Sequence, residues 1–114
     1  MGEISAVVGV TGIQRGTISV TFTRPCAAAL ATGMLGNDIH NMENDMEDAV
    51  GEVVNIISGR ARAILAEGGL ILQGSTPTII TGLNHVIRHM NASLAIAIPF
   101  TTDNGAFTVE FCLE

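Results

Sequence analysis

The sequence has no lysine and only five arginines, at positions 15, 24, 60, 62 and 88, against eleven Asp plus Glu, giving a formal net charge of −6. With no cluster of cations to neutralise phosphates, nucleic acid and acidic membrane surfaces are poor partners. Long apolar runs are missing too. None approaches the roughly 18 residues of a membrane-spanning helix, and the start lacks the charged-then-apolar pattern of an export signal, so a cytoplasmic location is expected. Cysteine is sparse: Cys26 and Cys112 have no metal-like spacing and read as buried, reduced thiols, and the sequon Asn91-Ala92-Ser93 then carries little meaning. There is no Gly-x-Ser-x-Gly elbow, Walker loop, nucleotide fingerprint or fixed-period repeat. Charged residues make up 14% of the chain while hydrophobic ones make up 47%, which excludes disorder and leaves a charge-poor surface that suggests an oligomer. The 114 residues form a single domain, 1–114, with one core.

What the sequence does have is one long helical stretch, Asn44 to Glu67. At about 100° per residue, Val50, Val53, Val54, Ile57, Ala61 and Ile64 gather on one side and belong on a core. Asp48, Glu52 and Asn55 fall within roughly 60° of one another on the other side. Asn44 or Asp45 is the expected cap, and Glu47 and Asp48 suit the positive N-terminal end. Gly68-Gly69 supplies a left-handed stop, with Arg60 and Arg62 toward the negative end. An Asn in mid-helix costs a few tenths of a kcal/mol relative to Ala, so Asn55 calls for an explanation outside folding.

Around this helix the rest reads as strands and one shorter helix. Ile4 to Val10 and Gly16 to Thr23 are β-branched runs joined by a Gly-containing link, an antiparallel hairpin. Pro25 starts an Ala-rich helix over Cys26 to Leu35, ended by Gly36 and Asn37, and Asn37 to Asn44 is a polar link. Leu70 to Gln73, Pro77 to Thr81, Ser93 to Pro99 and Ala106 to Leu113 read as four more strands, the last two joined by turn residues Thr102 to Gly105. Gly82 to Asn91 is a half-helical loop. The expected fold class is α+β, with a largely antiparallel sheet of about six strands and two helices packed on one face. Such a sheet leaves apolar surface that a second copy could cover.

In this order of elements the sequence resembles the CheX branch of the CheC/CheX/FliY family, phosphatases of the phosphorylated chemotaxis response regulator. The resemblance runs over nearly the whole chain. It is carried by GIQRGTISVTF, by the Ala-rich helix ending in GMLG, and by Asp48-x-x-x-Glu52-x-x-Asn55-Ile-Ile-x-Gly59. It continues through Thr76-Pro77-Thr78, Ile98-Pro99-Phe100 and Gly105-Ala106-Phe107. The family pattern is an acidic or Ser residue, Glu four on, Asn three further and a Pro about two dozen residues later, one copy in CheX and two in CheC. Members normally carry an extra N-terminal helix, for which this sequence shows no counterpart, and stability or dimerisation would differ accordingly.

The resemblance implies that Glu52 and Asn55 are the catalytic pair. A receiver aspartyl phosphate is hydrolysed by in-line attack of water, and the receiver supplies Mg²⁺ and a lysine, so no cofactor is expected in this chain. A neutral carboxamide can accept from the water and donate to the phosphoryl oxygens, the role expected of Asn55. Glu52 is expected to pair with the receiver lysine, Asp48 to add rim charge, Gly59 to allow close approach and Pro77 to shape the docking groove. The expected partners are a phosphorylated CheY-like receiver and a second copy of the chain. A non-catalytic module docking a receiver or flagellar switch component is the alternative, and a purely structural dimerisation domain a third.

Plainer readings stand beside these. Glu and Asn on an outer helix face are ordinarily just solvated, and Asp45, Glu47 and Asp48 ordinarily complement the helix end. Pro77 could merely start an edge strand. Met34, Met42, Met46 and Met90 fill cores by default, but could form an adaptable contact surface. His85-x-x-x-His89 has zinc-pair spacing without the adjacent Glu or a third ligand, and His40 with Asp38 and Glu43 reads as a polar loop; no metal is expected.

Overall fold

The computed structural model describes residues 2–83 and 94–113. In chain order the elements are β1 (Gly2–Gly12), β2 (Gly16–Thr23), α1 (Arg24–Leu35), a 3-10 turn at Gly36–Asp38, α2 (Met42–Glu67), β3 (Leu72–Gly74), β4 (Thr78–Leu83), β5 (Leu94–Thr102) and β6 (Gly105–Leu113). The fold is α+β, as expected.

β1 and β2 form the predicted hairpin, in register from Glu3 opposite Thr23 to Val10 opposite Gly16. Because side chains alternate along a strand, this register puts Ile4, Ala6, Val8 and Val10 on the same face as Ile18, Val20 and Phe22. All seven are buried there. β6 pairs with β2 and β5 with β6, both antiparallel, giving the order β3-β1-β2-β6-β5. β4 also pairs with β1, along residues 2–7, while β3 takes residues 10–12. The two short strands therefore lie end to end on one edge. Ser75 closes the gap between them: its backbone N–H donates to the Gly9 carbonyl at 2.9 Å, and its Oγ accepts from the Gly9 N–H at 2.9 Å.

Both helices cover the face that carries Ile4 to Val10. Cys26, Ala27 and Ala31 of α1 and Met46, Ala49, Val50, Val54 and Ser58 of α2 are buried against it, and Val53, Ile57 and Ala61 are packed beside them. Both cysteines are buried and free. Of the expected apolar side of α2, Ile64 departs: it stands 52% exposed. After Ser58 the helix packs through the partly buried Ala61 and Leu65, so its inward stripe narrows and leaves Ile64 at the margin.

The ends of α2 also differ from expectation. Its cap is Asn41, whose side chain accepts from the Asn44 N–H at 3.2 Å. Asp45 reaches back instead, its Oδ2 accepting from the N–H groups of His40 and Asn41 at 3.0 and 3.2 Å. The two side chains together satisfy donors that the first turn leaves open, a reciprocal cap. At the other end Gly68 has φ −87 and the positive φ, +94, belongs to Gly69. The last turn holds no basic residue; Arg62 donates from Nε to the buried Ser58 Oγ at 3.2 Å.

The sheet is covered unevenly. Phe22, Phe107 and Phe100, aligned across β2, β6 and β5, stack with centroids 4.9 and 4.8 Å apart. The first is buried, the second half-buried and the third exposed, and Ile96 and Ile98 beside it are exposed too. The helices thus shelter β1 and β2 and leave the β5 end of the same face bare. On the opposite face Ser5 and Thr21 share a 2.6 Å hydroxyl contact, and Ser19 is buried. Among the described residues no helix is long and apolar enough to cross a membrane.

Candidate functional site

Helix α2 holds its position through Val50 and Val54, both fully buried. Rotating away from them brings Asp48, Glu52 and Asn55 to the outer surface, and all three are exposed. Their spacing of four and three residues aligns them along one stripe, spanning about 10 Å of helix from Asp48 to Asn55. Gly59, one turn further, is half-buried and continues the stripe. The helical period thus brings together the four residues singled out on it. Ile56, not singled out from the sequence, lies beside Asn55 and is 59% exposed. Its angular distance from the apolar side of the helix was the available signal.

The stripe has two flanks. On one, Gly51 is buried against β4: a Cβ built there would lie 3.5 Å from Ile79 Cδ1. Pro77, half-buried in the link before β4, comes two residues ahead of Ile79. It therefore belongs to the segment that leads into this flank. On the other, Ala49 is buried beneath the end of α1, where Met34 and Leu35 face Asp45, Asp48 and Glu52 across a groove. Met46 is core, whereas Met34 and Met42 are exposed. Met90, His85 and His89 lie outside the described residues. Among the described residues no three metal-capable side chains come together.

The charge around the stripe is negative and only partly neutralised. Arg24, in the first turn of α1, grips both carboxylate oxygens of Glu43, in the first turn of α2. The hydrogen bond from Arg24 holds the Glu43 carboxyl below the usual carboxylate range, and the same bond raises the guanidinium further. Among the described residues Asp48 and Glu52 have no ion-pair partner. Elsewhere, burial pushes the Cys112 thiol up, helped by the nearby Glu110 charge, which makes it a poor nucleophile.

Chemically, the stripe offers one neutral carboxamide, able to donate and accept at once, beside carboxylates that attract cations. It contains no hydroxyl or thiol nucleophile. The arrangement suits holding a small polar molecule against a reacting group brought by a partner.

The family model described as "Chemotaxis phosphatase CheX" matches residues 4–101 of the chain. A candidate chemotaxis protein of Desulfovibrio vulgaris Hildenborough is 58% identical, with a TM-score of 0.93 over 98% of this chain and 73% of that one. CheX of Desulfovibrio desulfuricans is 57% identical, with a TM-score of 0.91 over 98% of this chain and 75% of that one. At 24% identity the likeness concerns the fold alone for Borrelia burgdorferi CheX, solved in complex with CheY, BeF3 and Mg²⁺, with a TM-score of 0.78 over 97% of this chain and 75% of that one. No curated protein matches.

Proposed function

The chain belongs to the CheX family of chemotaxis phosphatases, and from that premise we propose that it hydrolyses the aspartyl phosphate of a CheY-like receiver, with Asn55 orienting the attacking water. The observation that carries the reading is the exposure of Asn55 and Glu52 along one face of a helix whose opposite face is sealed into the core. A side chain that orders water in another protein's site must protrude, and its backbone must not move.

In the reaction, water oxygen bonds to phosphorus as the bond from phosphorus to the aspartyl oxygen breaks. Inorganic phosphate leaves and the receiver carboxylate is restored. The Asn55 carboxamide accepts a hydrogen bond from the water and donates one to a phosphoryl oxygen. The receiver's own Mg²⁺ and lysine neutralise the developing charge, so this chain needs no cofactor of its own. Glu52, one turn away, pairs with that lysine and sets the docking register. Asp48 and Gly59 extend the contact along α2, and Pro77 shapes its β4 flank.

The deciding assay mixes the purified chain with a phosphorylated CheY-like receiver and Mg²⁺ and follows phosphate release. Asn55→Ala should lower the stimulated rate by about 10² or more, the scale of losing one preorganised hydrogen-bonding group at a reacting centre, while leaving receiver binding largely intact. Unchanged release by Asn55→Ala removes the mechanism. Binding without turnover by the unmodified chain favours the module that docks a receiver without catalysis.

A second copy of the chain is the occupant proposed for the bare β5 end of the sheet. Ile96, Ile98 and Phe100 are exposed there in a row, continuous with the stacked rings of Phe107 and Phe22. Sedimentation of the chain with Ile98→Asp should then report a monomer where the unmodified chain is a dimer. A monomeric unmodified chain ends this part of the reading.

A further inference from the structure

Beside the stripe, between the end of α1 and the first half of α2, lies an open groove of about 370 Å³ lined by Met34, Leu35, Asp45, Asp48, Ala49 and Glu52. It sits near the small end of ligand pockets, which run roughly 300–1,000 Å³. Its composition is mixed in a particular way. Met34 and Leu35 are 48% and 37% exposed, and Met42, on the same side of α2, is 39% exposed. Facing them are three carboxylates. The Asp45 carboxylate already accepts from two backbone N–H groups, whereas Asp48 and Glu52 have no ion-pair partner among the described residues.

We infer that this groove takes the side chain of a surface Lys or Arg of the partner receiver, outside the receiver's phosphorylation site, and so sets which receiver is accepted. With Glu52 engaged by the lysine of the phosphorylation site, a purely apolar occupant would strip water from Asp48 without replacing it. A compact cation would leave Met34 and Leu35 in water. Only a cationic group on an aliphatic stem satisfies both walls, stem along the methionine and leucine, charge at the carboxylates. The unbranched methionine suits stems of different length and approach. Glu52 belongs to both the groove and the stripe, so one partner covers both. The inference rests on the receiver-docking reading above.

The test is a binding and turnover series at Met34, measured with a receiver domain locked by beryllofluoride and Mg²⁺ for affinity, and with the phosphorylated form for rate. Met34→Lys, which places a like charge against the incoming cation, should weaken binding about tenfold or more. Met34→Leu should bind within about twofold of the unmodified chain, and Met34→Glu should lose less than Met34→Lys, since its charge attracts the occupant. For all three the rate at saturating receiver should fall less than about threefold, because the group holding the water is untouched. Equal loss for Met34→Lys and Met34→Glu overturns the inference, since a cationic occupant must distinguish them and a general loss of folding would not. Full affinity in Met34→Lys overturns it as well. Neither outcome bears on Asn55: a chain that binds without turnover loses the phosphatase reading, yet its Met34 series still decides the groove.

Discussion

Among the described residues Gly59 meets nothing closer than Arg62: a Cβ built on the glycine would lie 4.0 Å from the Arg62 Nη2. The chain's own packing therefore gives no reason for a glycine there, and in a helix interior glycine costs about 1 kcal/mol relative to alanine. Gly59→Ala should raise stability by about 0.5–1 kcal/mol in chemical denaturation. If the receiver closes on this point, the same substitution should weaken receiver binding several-fold. A variant that is more stable and binds as before removes Gly59 from the docking surface.

The pair of Arg24 and Glu43 sets a pH dependence. The carboxyl of Glu43 is held below its ordinary 4.5 by the Arg24 hydrogen bond, so the folded state binds its proton less readily than the unfolded chain. The resulting stability is present above the ordinary value and is lost as pH falls through the folded one. Glu43→Gln should therefore melt below the unmodified chain at about pH 6, and the gap should close on the acid side of 4.5. The Arg24 side chain is 32% and the Glu43 side chain 48% exposed, so the pair is partly reached by solvent and salt should shrink the gap as well. A gap that stays constant with pH assigns Glu43 another role.

Capping distinguishes two asparagines three residues apart. Asn41→Ala should cost about 1 kcal/mol, because it removes the acceptor for the Asn44 N–H. Asn44→Ala should cost less than about 0.5 kcal/mol, since only its backbone takes part in the cap. Urea denaturation of the two variants side by side gives the order directly, and the reverse order places the cap at Asn44.

Ser19 is buried on the sheet face away from the helices, and its hydroxyl has no partner among the described residues. Burying a hydroxyl without a hydrogen bond costs free energy that alanine avoids. Ser19→Ala should leave stability unchanged or raise it by up to about 1 kcal/mol. A loss larger than that in urea denaturation means that the hydroxyl is bonded to water in solution.

The parts of this molecule that repeat with a fixed period were legible in its sequence. The alternation of Ile18, Val20 and Phe22 gave β2 its bounds, and the 3.6-residue period of α2 put Val50 and Val54 inward and Glu52 and Asn55 outward. Choices between equivalent local signals were not legible: Asn44 or Asp45 was the expected cap, and Asn41, of the same residue type three positions earlier, takes the role. The expected strand Leu70 to Gln73 begins instead at Leu72, because pairing with Val10 to Gly12 of β1 decides where the ladder starts. Met34 and Leu35 read as the end of a helix; that they face Asp48 and Glu52 depends on how α1 is set on α2, which no local pattern encodes. The half-helical reading of Gly82 to Asn91 falls largely outside the described residues.

On α2 the residues that fold the protein and the residues that protrude into solvent alternate within one turn, sealed Val54 directly before protruding Asn55. The protruding side chains can therefore be exchanged at little cost in stability, and a melting curve would not tell a chain that has lost them from one that keeps them.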